Sequence, residues 1–505
     1  PGLFREHILA SVPVEKVAKH FNATFGRPCK ELYAMLGALI LQQAFDLTDE
    51  ETVEQFAFNI QWHYCLNITE ESDSAKYISP KTLWNNRKIV SQNDLEDDIF
   101  NAGTEQLAKV FNVALDKQRL DSVHIKSNMR RLGRIGIFSE SIHKFLVNLK
   151  RNHLGWFDTV DEKIIDRYLS KPSLEYFGRV RPSDSRKTLT QVSKDLFELI
   201  EQFKVNDAVA AMYSYKLLQR VLKEQCNLTG DKDNPVELKV PKQIASDSVQ
   251  NPSDPDAAYS GHKGQGYQVQ VMETYSEDKD ADDRALNLIT HVDAEPAHKS
   301  DADALVPAIE STENRNLKPG DIAADALYGS DDNYEQARQH DVELTAPTMG
   351  KQQADKLSLA DFQISDKGRI TACPQGHAPG KVKKRKRYSV GFFSEHCQNC
   401  PMLASCPVKK GKKFYYLRFS QKDVRLAKRR AYECSEEFKD RYRWRAGVEA
   451  TMSQYDRRTG VKHLRVRGLK AVKYCAKLKA LAVNIFRAAA IRAAQMMPEQ
   501  GLYGA

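Results

Sequence analysis

Tyr442-Arg443-Trp444-Arg445-Ala446-Gly447-Val448-Glu449 lies inside a long helical pattern near the C-terminal end of the chain. The spacing predicts one helix that opens at Ser435, a good N-cap, with Glu436 and Glu437 in its positive first turn. It closes near Gly460, after Arg457 and Arg458 at the negative end. At about 100° per residue, Trp444, Val448, Met452 and Tyr455 form a buried stripe. Tyr442, Arg445 and Glu449, spaced i, i+3 and i+7, lie together on the face beside it. A carboxylate thus stands at the edge of a core, with a cation one turn and a phenol two turns before it. Taken alone, the set also reads as a surface Arg–Glu pair.

Two more carboxylates stand upstream. Gln118 to Asn128 has strand composition, and Asp121 shares a face with Val123 and Ile125. That placement is costly unless a metal or a cation answers it, although a strand-end Asp facing solvent reads the same way. Asp321 to Ser330 reads as a short apolar strand that delivers Asp325 at its carboxyl end, where α/β sheets place their chemistry, with Ser330 capping the next helix. Further strands are expected at Gly266–Met272, Leu286–Val292 and Leu344–Pro347, after which the sheet pattern stops. Three carboxylates brought to one point repel each other unless divalent cations bind between them, and hard oxygen ligands select Mg2+ or Mn2+. Two such ions can activate a water or a 3′-hydroxyl and stabilise the leaving oxygen of an in-line phosphoryl displacement. That is nuclease or transesterase chemistry.

The nine cysteines are an odd number, and four of them crowd into Cys373-Pro374-Gln375-Gly376-His377, Cys397-Gln398-Asn399-Cys400 and Cys406-Pro407. This argues against a disulfide framework. Cys373, Cys397, Cys400 and Cys406 suit a tetrahedral, structural Zn2+ site, with His377 as a possible substitute ligand and reduced, uncoordinated thiols as the alternative.

A chain of 505 residues, 41% hydrophobic and 28% charged, has the make-up of a soluble protein with room for about two to four domains. Its net charge of +9 is modest, but the cations are clustered: Lys381 to Arg387 reads KVKKRKR, Lys409 to Lys413 reads KKGKK, and residues 425–479 are densely basic. Clustering of this kind favours a polyanion, nucleic acid before membrane, although each run singly also reads as a solvated loop. The longest apolar run, Ala34 to Ala44, is too short to span a bilayer, and no signal-peptide core is present, so a cytoplasmic, nucleoid-associated protein with no membrane partner is expected.

The strand-borne Asp121-Ser122, the segment Ala324-Asp325-Ala326-Leu327-Tyr328-Gly329 and the Tyr442-x2-Arg445-x3-Glu449 helix resemble the three signatures of bacterial insertion-sequence DDE transposases with a ribonuclease-H-like core. The loop Asp254-Pro255-Asp256-Ala257 before Gly266-Tyr267 and the cysteine cluster before the Glu helix are also similar to one branch of that family. The resemblance implies metal ligation by Asp121, Asp325 and Glu449, and contact of Tyr442 and Arg445 with DNA near the cleaved end. Several relatives carry a Lys two turns after the Glu, where this chain has Asp456, so phosphate contact there falls to Arg457 or Arg458. Asp254 and Asp256 rival Asp121 as the first acid. Asp121 is preferred because the family's first acid lies within the opening strand.

The expected fold class is an α/β ribonuclease-H-like mixed sheet core from 116–129, 246–350 and 429–490. A helical N-terminal domain, 1–115, serves DNA binding or dimerisation, with a helical insertion at 130–245 and a small zinc-ribbon-like insertion at 351–428. The expected function is a DNA transposase that binds inverted-repeat ends as a homodimer or higher assembly on double-stranded DNA, cleaves them with Mg2+ or Mn2+, and joins 3′ ends to target DNA. A stand-alone metal-dependent nuclease and a non-catalytic, domesticated DNA-binding protein are the alternatives.

Overall fold

Leu120, Val123 and Ile125 give one strand apolar side chains on both faces, and that strand occupies the middle of the main sheet. The computed structural model describes residues 1–21, 31–170, 180–231, 233–277, 285–350, 355–384 and 387–496. The main sheet has six strands: β1 (Lys117–Lys126), β2 (Ala258–Ser260), β3 (Gly264–Thr274), β4 (Ile289–Pro296), β5 (Asp321–Ala324) and β6 (Glu343–Thr345). β1 pairs antiparallel with β3, Asp121 opposite Val271, and parallel with β5, Leu120 opposite Ala324. β2 and β4 both pair with the far edge of β3, and β6 runs parallel to β5, so the sheet is mixed. β4 begins at Ile289 and not at the expected Leu286, because the bulge at Met272 and Glu273 shifts the register there.

Leu120 packs on one face with Leu305, Ile309, Ile322 and Tyr328. Val123 and Ile125 join a larger core on the other, built with α1 (Leu32–Ala44), α2 (Leu95–Val110) and the long C-terminal helix α9 (Leu469–Met496). α1 is buried nearly all round, Gln42 and Gln43 included, in keeping with its largely apolar composition. Among the described residues no helix is long and apolar enough to cross a membrane. Residues 134–225 hold α3 (Arg134–Asn152), α4 (Ser185–Phe203) and α5 (Tyr213–Gln225), packed around their own core of Phe138, Phe145, Leu196, Phe203 and Leu218. The reading of this stretch as purely helical is corrected at its end, where Cys226–Leu228 and Val236–Leu238 pair as a hairpin.

The expectation that sheet structure stops after Pro347 is also corrected. Lys381–Lys384, Tyr388–Phe393, Phe414–Phe419 and Lys409–Lys410 form a second, four-stranded antiparallel sheet in that order. Its outer strands are nearly all lysine, which hides the usual alternation of strands from a sequence reading.

Asp254, the rival first acid, is fully buried away from the strand ends. It accepts hydrogen bonds from Tyr267 Oη at 2.5 Å, Ser127 Oγ at 2.6 Å and the Gly468 amide at 2.9 Å, while Asp256 accepts from the Leu469 amide at 3.0 Å as α9 begins. The loop therefore clamps β1, β3 and α9 together. Asp254→Ala orphans one buried donor, Tyr267, and two partly buried ones, Ser127 and the Gly468 amide, and should destabilise the chain by about 2–3 kcal/mol, read from denaturant unfolding; an unchanged midpoint would refute the clamp.

Glu96 on α2 faces α9 with both carboxyl oxygens buried and without a hydrogen-bond partner among the described residues. Burial pushes its carboxyl up to about 7. A group raised in the folded state contributes fully below its ordinary value of 4.5, and that contribution is lost as pH rises through about 7. Glu96→Gln should match the wild type in acid and exceed it in stability by roughly 1–3 kcal/mol at pH 8. Thermal melts across that range check the crossing.

Candidate active site

The register of β1 against β5 sets the geometry. Leu120 lies opposite Ala324, so the next residue on each strand, Asp121 and Asp325, stands at neighbouring positions. Asp325 ends its strand in a tight turn, its Oδ1 accepting from the Leu327 amide at 2.8 Å. Gly329 closes that turn at a point where a Cβ would meet the Pro347 carbonyl oxygen at 1.9 Å, so only glycine fits. Beneath the pair, buried Tyr328 donates to Gln270 Oε1 at 2.6 Å, and burial together with Asp301, Asp121 and Asp325 holds its hydroxyl well above the usual phenol range.

The expected continuous helix from Ser435 to Gly460 is corrected to two helices. Ser435 caps α7 (Glu436–Tyr442) and Gly460 ends α8 (Val448–Thr459) in the left-handed conformation, but Arg443–Gly447 between them winds as a 3-10 turn. The cause lies under the turn. Arg119 on β1 donates from Nη1 to the Trp444 carbonyl at 2.9 Å, and a Cβ on Gly447 would approach that nitrogen to 2.0 Å. Trp444 accordingly leaves the expected buried stripe and stacks on Tyr275, while Val448, Met452 and Tyr455 stay buried.

The turn aims Arg445 at the strand ends. Its Nη2 donates to Asp121 Oδ2 at 2.6 Å and its Nη1 lies 3.5 Å from Glu449 Oε1. Burial pushes the Asp121 carboxyl above its ordinary range, Arg445 pulls it back, and Asp325 and Asp301 push it further up. Tyr442 stacks on Phe438, and burial raises its hydroxyl, with Arg445 opposing and Asp325 and Asp121 adding to the rise.

Three carboxylates are hard oxygen donors that suit Mg2+ or Mn2+, and two like charges in adjacent register form the imbalance a divalent cation relieves. Among the described residues, however, no three His, Cys, Asp or Glu side chains come close enough together to hold a metal ion. Glu449 accounts for this: its side chain is 73% exposed and reaches the other acids only through Arg445. The structure thus brings Asp121 and Asp325 together and links Glu449 to them by a shared guanidinium. Cys373, Cys397, Cys400 and Cys406 converge on a cavity of about 30 Å³ with His377 at its wall, again without closing a ligand shell.

Several residues at the site carried no usable signal in the sequence. Lys263 donates to Ser122 Oγ at 2.9 Å and to Asp301 at 3.0 Å, and Gln270 also donates to Asp301, so a buried polar network props the sheet face behind Asp121. Its members are far apart in the chain. On the other side of α8, Arg443, Arg457 and Arg458 line a recess of about 1010 Å³ that no acidic side chain lines among the described residues. Asp456 accepts from the Lys462 amide at 3.1 Å.

A family model described as a transposase DDE domain matches residues 372–489, which include the four cysteines, Tyr442, Arg445, Glu449, Arg457 and Arg458. A second, described as a transposase domain (DUF772), matches residues 1–89. Asp121 and Asp325 lie between the two matched stretches. No curated protein matches the chain. The chain is thus similar to transposase domains toward each of its ends.

Proposed function

We propose that the protein cuts DNA at the ends of its element and joins the freed 3′ ends to target DNA, on a ribonuclease-H-like core where Asp121, Asp325 and Glu449 hold Mg2+ or Mn2+. The observation that supports this most is the placing of Asp121, within β1, beside Asp325, at the end of the parallel strand β5, with the Glu449 helix tied to Asp121 through Arg445. Bound divalent ions supply an activated nucleophile and neutralise charge on the phosphodiester. The chain's own groups position the substrate. Arg445 offers a guanidinium to a phosphate beside the scissile bond, and Tyr442, held against Phe438, orients the terminal nucleotide. Arg457 and Arg458 extend the track of phosphate contacts along the recess behind α8, which gives binding a steep salt dependence. The N-terminal helices, packed on α9, add DNA affinity or pair two subunits across the two element ends.

The four cysteines are assigned to a structural Zn2+, supported by their convergence on one cavity. Elemental analysis of the purified chain should find about one zinc, lost together with thermal stability in Cys397→Ser. A metal-free, equally stable wild type would remove zinc from the account.

The test of the main reading uses end-containing duplex oligonucleotides, Mn2+ and the full chain. Asp325→Asn and Glu449→Gln should lower the cleavage rate by on the order of 10³ or more while binding the same duplex. Joined products would separate a transposase from a simple nuclease. An Asp325→Asn protein that still cleaved at the wild-type rate would end the assignment.

A further inference from the structure

The small sheet has one apolar face and one that is neither apolar nor ordinarily polar. Val390, Phe392, Leu417 and Phe419 point into its core. The opposite face is set by register: Lys381, Gly391, Tyr416 and Lys409 form one row across all four strands, Lys383, Ser389 and Arg418 a second, and Phe393 with Phe414 a third. The rings of Phe393 and Phe414 lie 5.0 Å apart, and those of Phe414 and Tyr416 lie 6.2 Å apart, a continuous strip of three. The rings are tilted to one another by 43° and 53°, and Gly391 makes room for them, since a Cβ there would crowd both Phe414 and Tyr416 at 3.2 Å. Phe393 is 45% exposed. Lysine at both sheet edges is a known guard against edge pairing, but that role does not account for three rings left outward between the edges. None of Lys381, Lys383, Lys409 and Arg418 has a carboxylate within ion-pair distance among the described residues, and Lys381 Nζ lies 5.9 Å from the centre of the Phe414 ring, so no acid neutralises the positive charge of this face.

We infer that this face binds single-stranded DNA, with bases stacked on the Phe393–Phe414–Tyr416 strip and phosphates taken by the lysine-bearing edges. Rings flanked by unpaired cations fit a chain whose bases are unstacked. A duplex offers its phosphates but not the faces of its bases. The site lies outside the acid cluster and does not rest on the cleavage reading.

The experiment measures binding of the full chain to oligo(dT), to a duplex of equal length and to heparin by fluorescence anisotropy across salt. Phe393→Ala/Tyr416→Ala should weaken oligo(dT) binding roughly 10- to 100-fold with its salt slope unchanged, and leave heparin and duplex near wild type. Lys381→Gln/Lys383→Gln/Lys409→Gln should reduce the oligo(dT) salt slope by about two. Equal loss for all three ligands in the ring variant, or no loss for oligo(dT), overturns the proposal. Should the ring variant fail to fold, ultraviolet crosslinking of oligo(dT) to the wild type decides. Adducts on Phe393, Phe414 or Tyr416 support the site, and adducts confined to other regions refute it.

Discussion

The buried carboxylate of Glu273 is the interaction on which the site depends. It is fully enclosed, yet it accepts from Arg119 at 2.7 Å, from Arg487 at 2.9 Å and from the Thr451 hydroxyl at 2.6 Å. Those partners belong to β1, α9 and α8, so one ion joins the strand that carries Asp121 to the helix that carries Glu449. Two guanidiniums and a hydroxyl compensate a desolvation that would otherwise cost several kcal/mol, and removing one partner would leave a buried charge uncompensated. Arg119 then uses a second nitrogen, Nη1, to hold the Trp444 carbonyl. The 3-10 turn, the displaced Trp444 and the aim of Arg445 all follow from that bond.

Local signals told much about this chain and long-range ones almost nothing. Ser330 and Ser435 do cap helices, because a cap is a contact between residues two or three apart. Asp325 at a strand end and Asp121 within a strand were legible for the same reason, and Asp321 to Ser330 forms the strand, turn and cap its composition calls for. The Glu273 cluster was invisible, since its members sit 154 and 214 positions apart and nothing in either neighbourhood announces a partner. Gly447 fell inside the single helix expected from Ser435 to Gly460. Only the guanidinium beneath it explains both the glycine and the broken helix.

Charge was the signal most easily misread. The basic stretch 425–479 suggests a polyanion, yet many of its cations serve the fold. Arg425 and Arg429 grip buried Asp331, Arg441 binds Asp321 at 2.8 Å and Glu343 at 2.7 Å, Lys477 pairs with Asp97, and Lys479 reaches Asp46 at 2.7 Å. Such pairs are already satisfied and attract little from outside. Cations available to a polyanion are therefore fewer: Arg457 and Arg458 at the recess behind α8, within that stretch, and the edges of the small sheet outside it. Counting lysines and arginines along a sequence cannot separate the two uses, because the acid that neutralises each one comes from another part of the chain.

Arg445 combines both uses in one side chain. It neutralises Asp121 and steadies Glu449, so the acid cluster keeps its like charges together with an internal cation between them. Among the described residues its Nε is buried without a partner, so the guanidinium gains less from this position than a fully satisfied one would. On the proposed function, Asp121 and Glu449 would help to hold a divalent ion, which would supply the positive charge that Arg445 now supplies. Arg445 would then be free to turn toward a phosphate, so metal binding and DNA contact would be coupled by electrostatics through this one side chain.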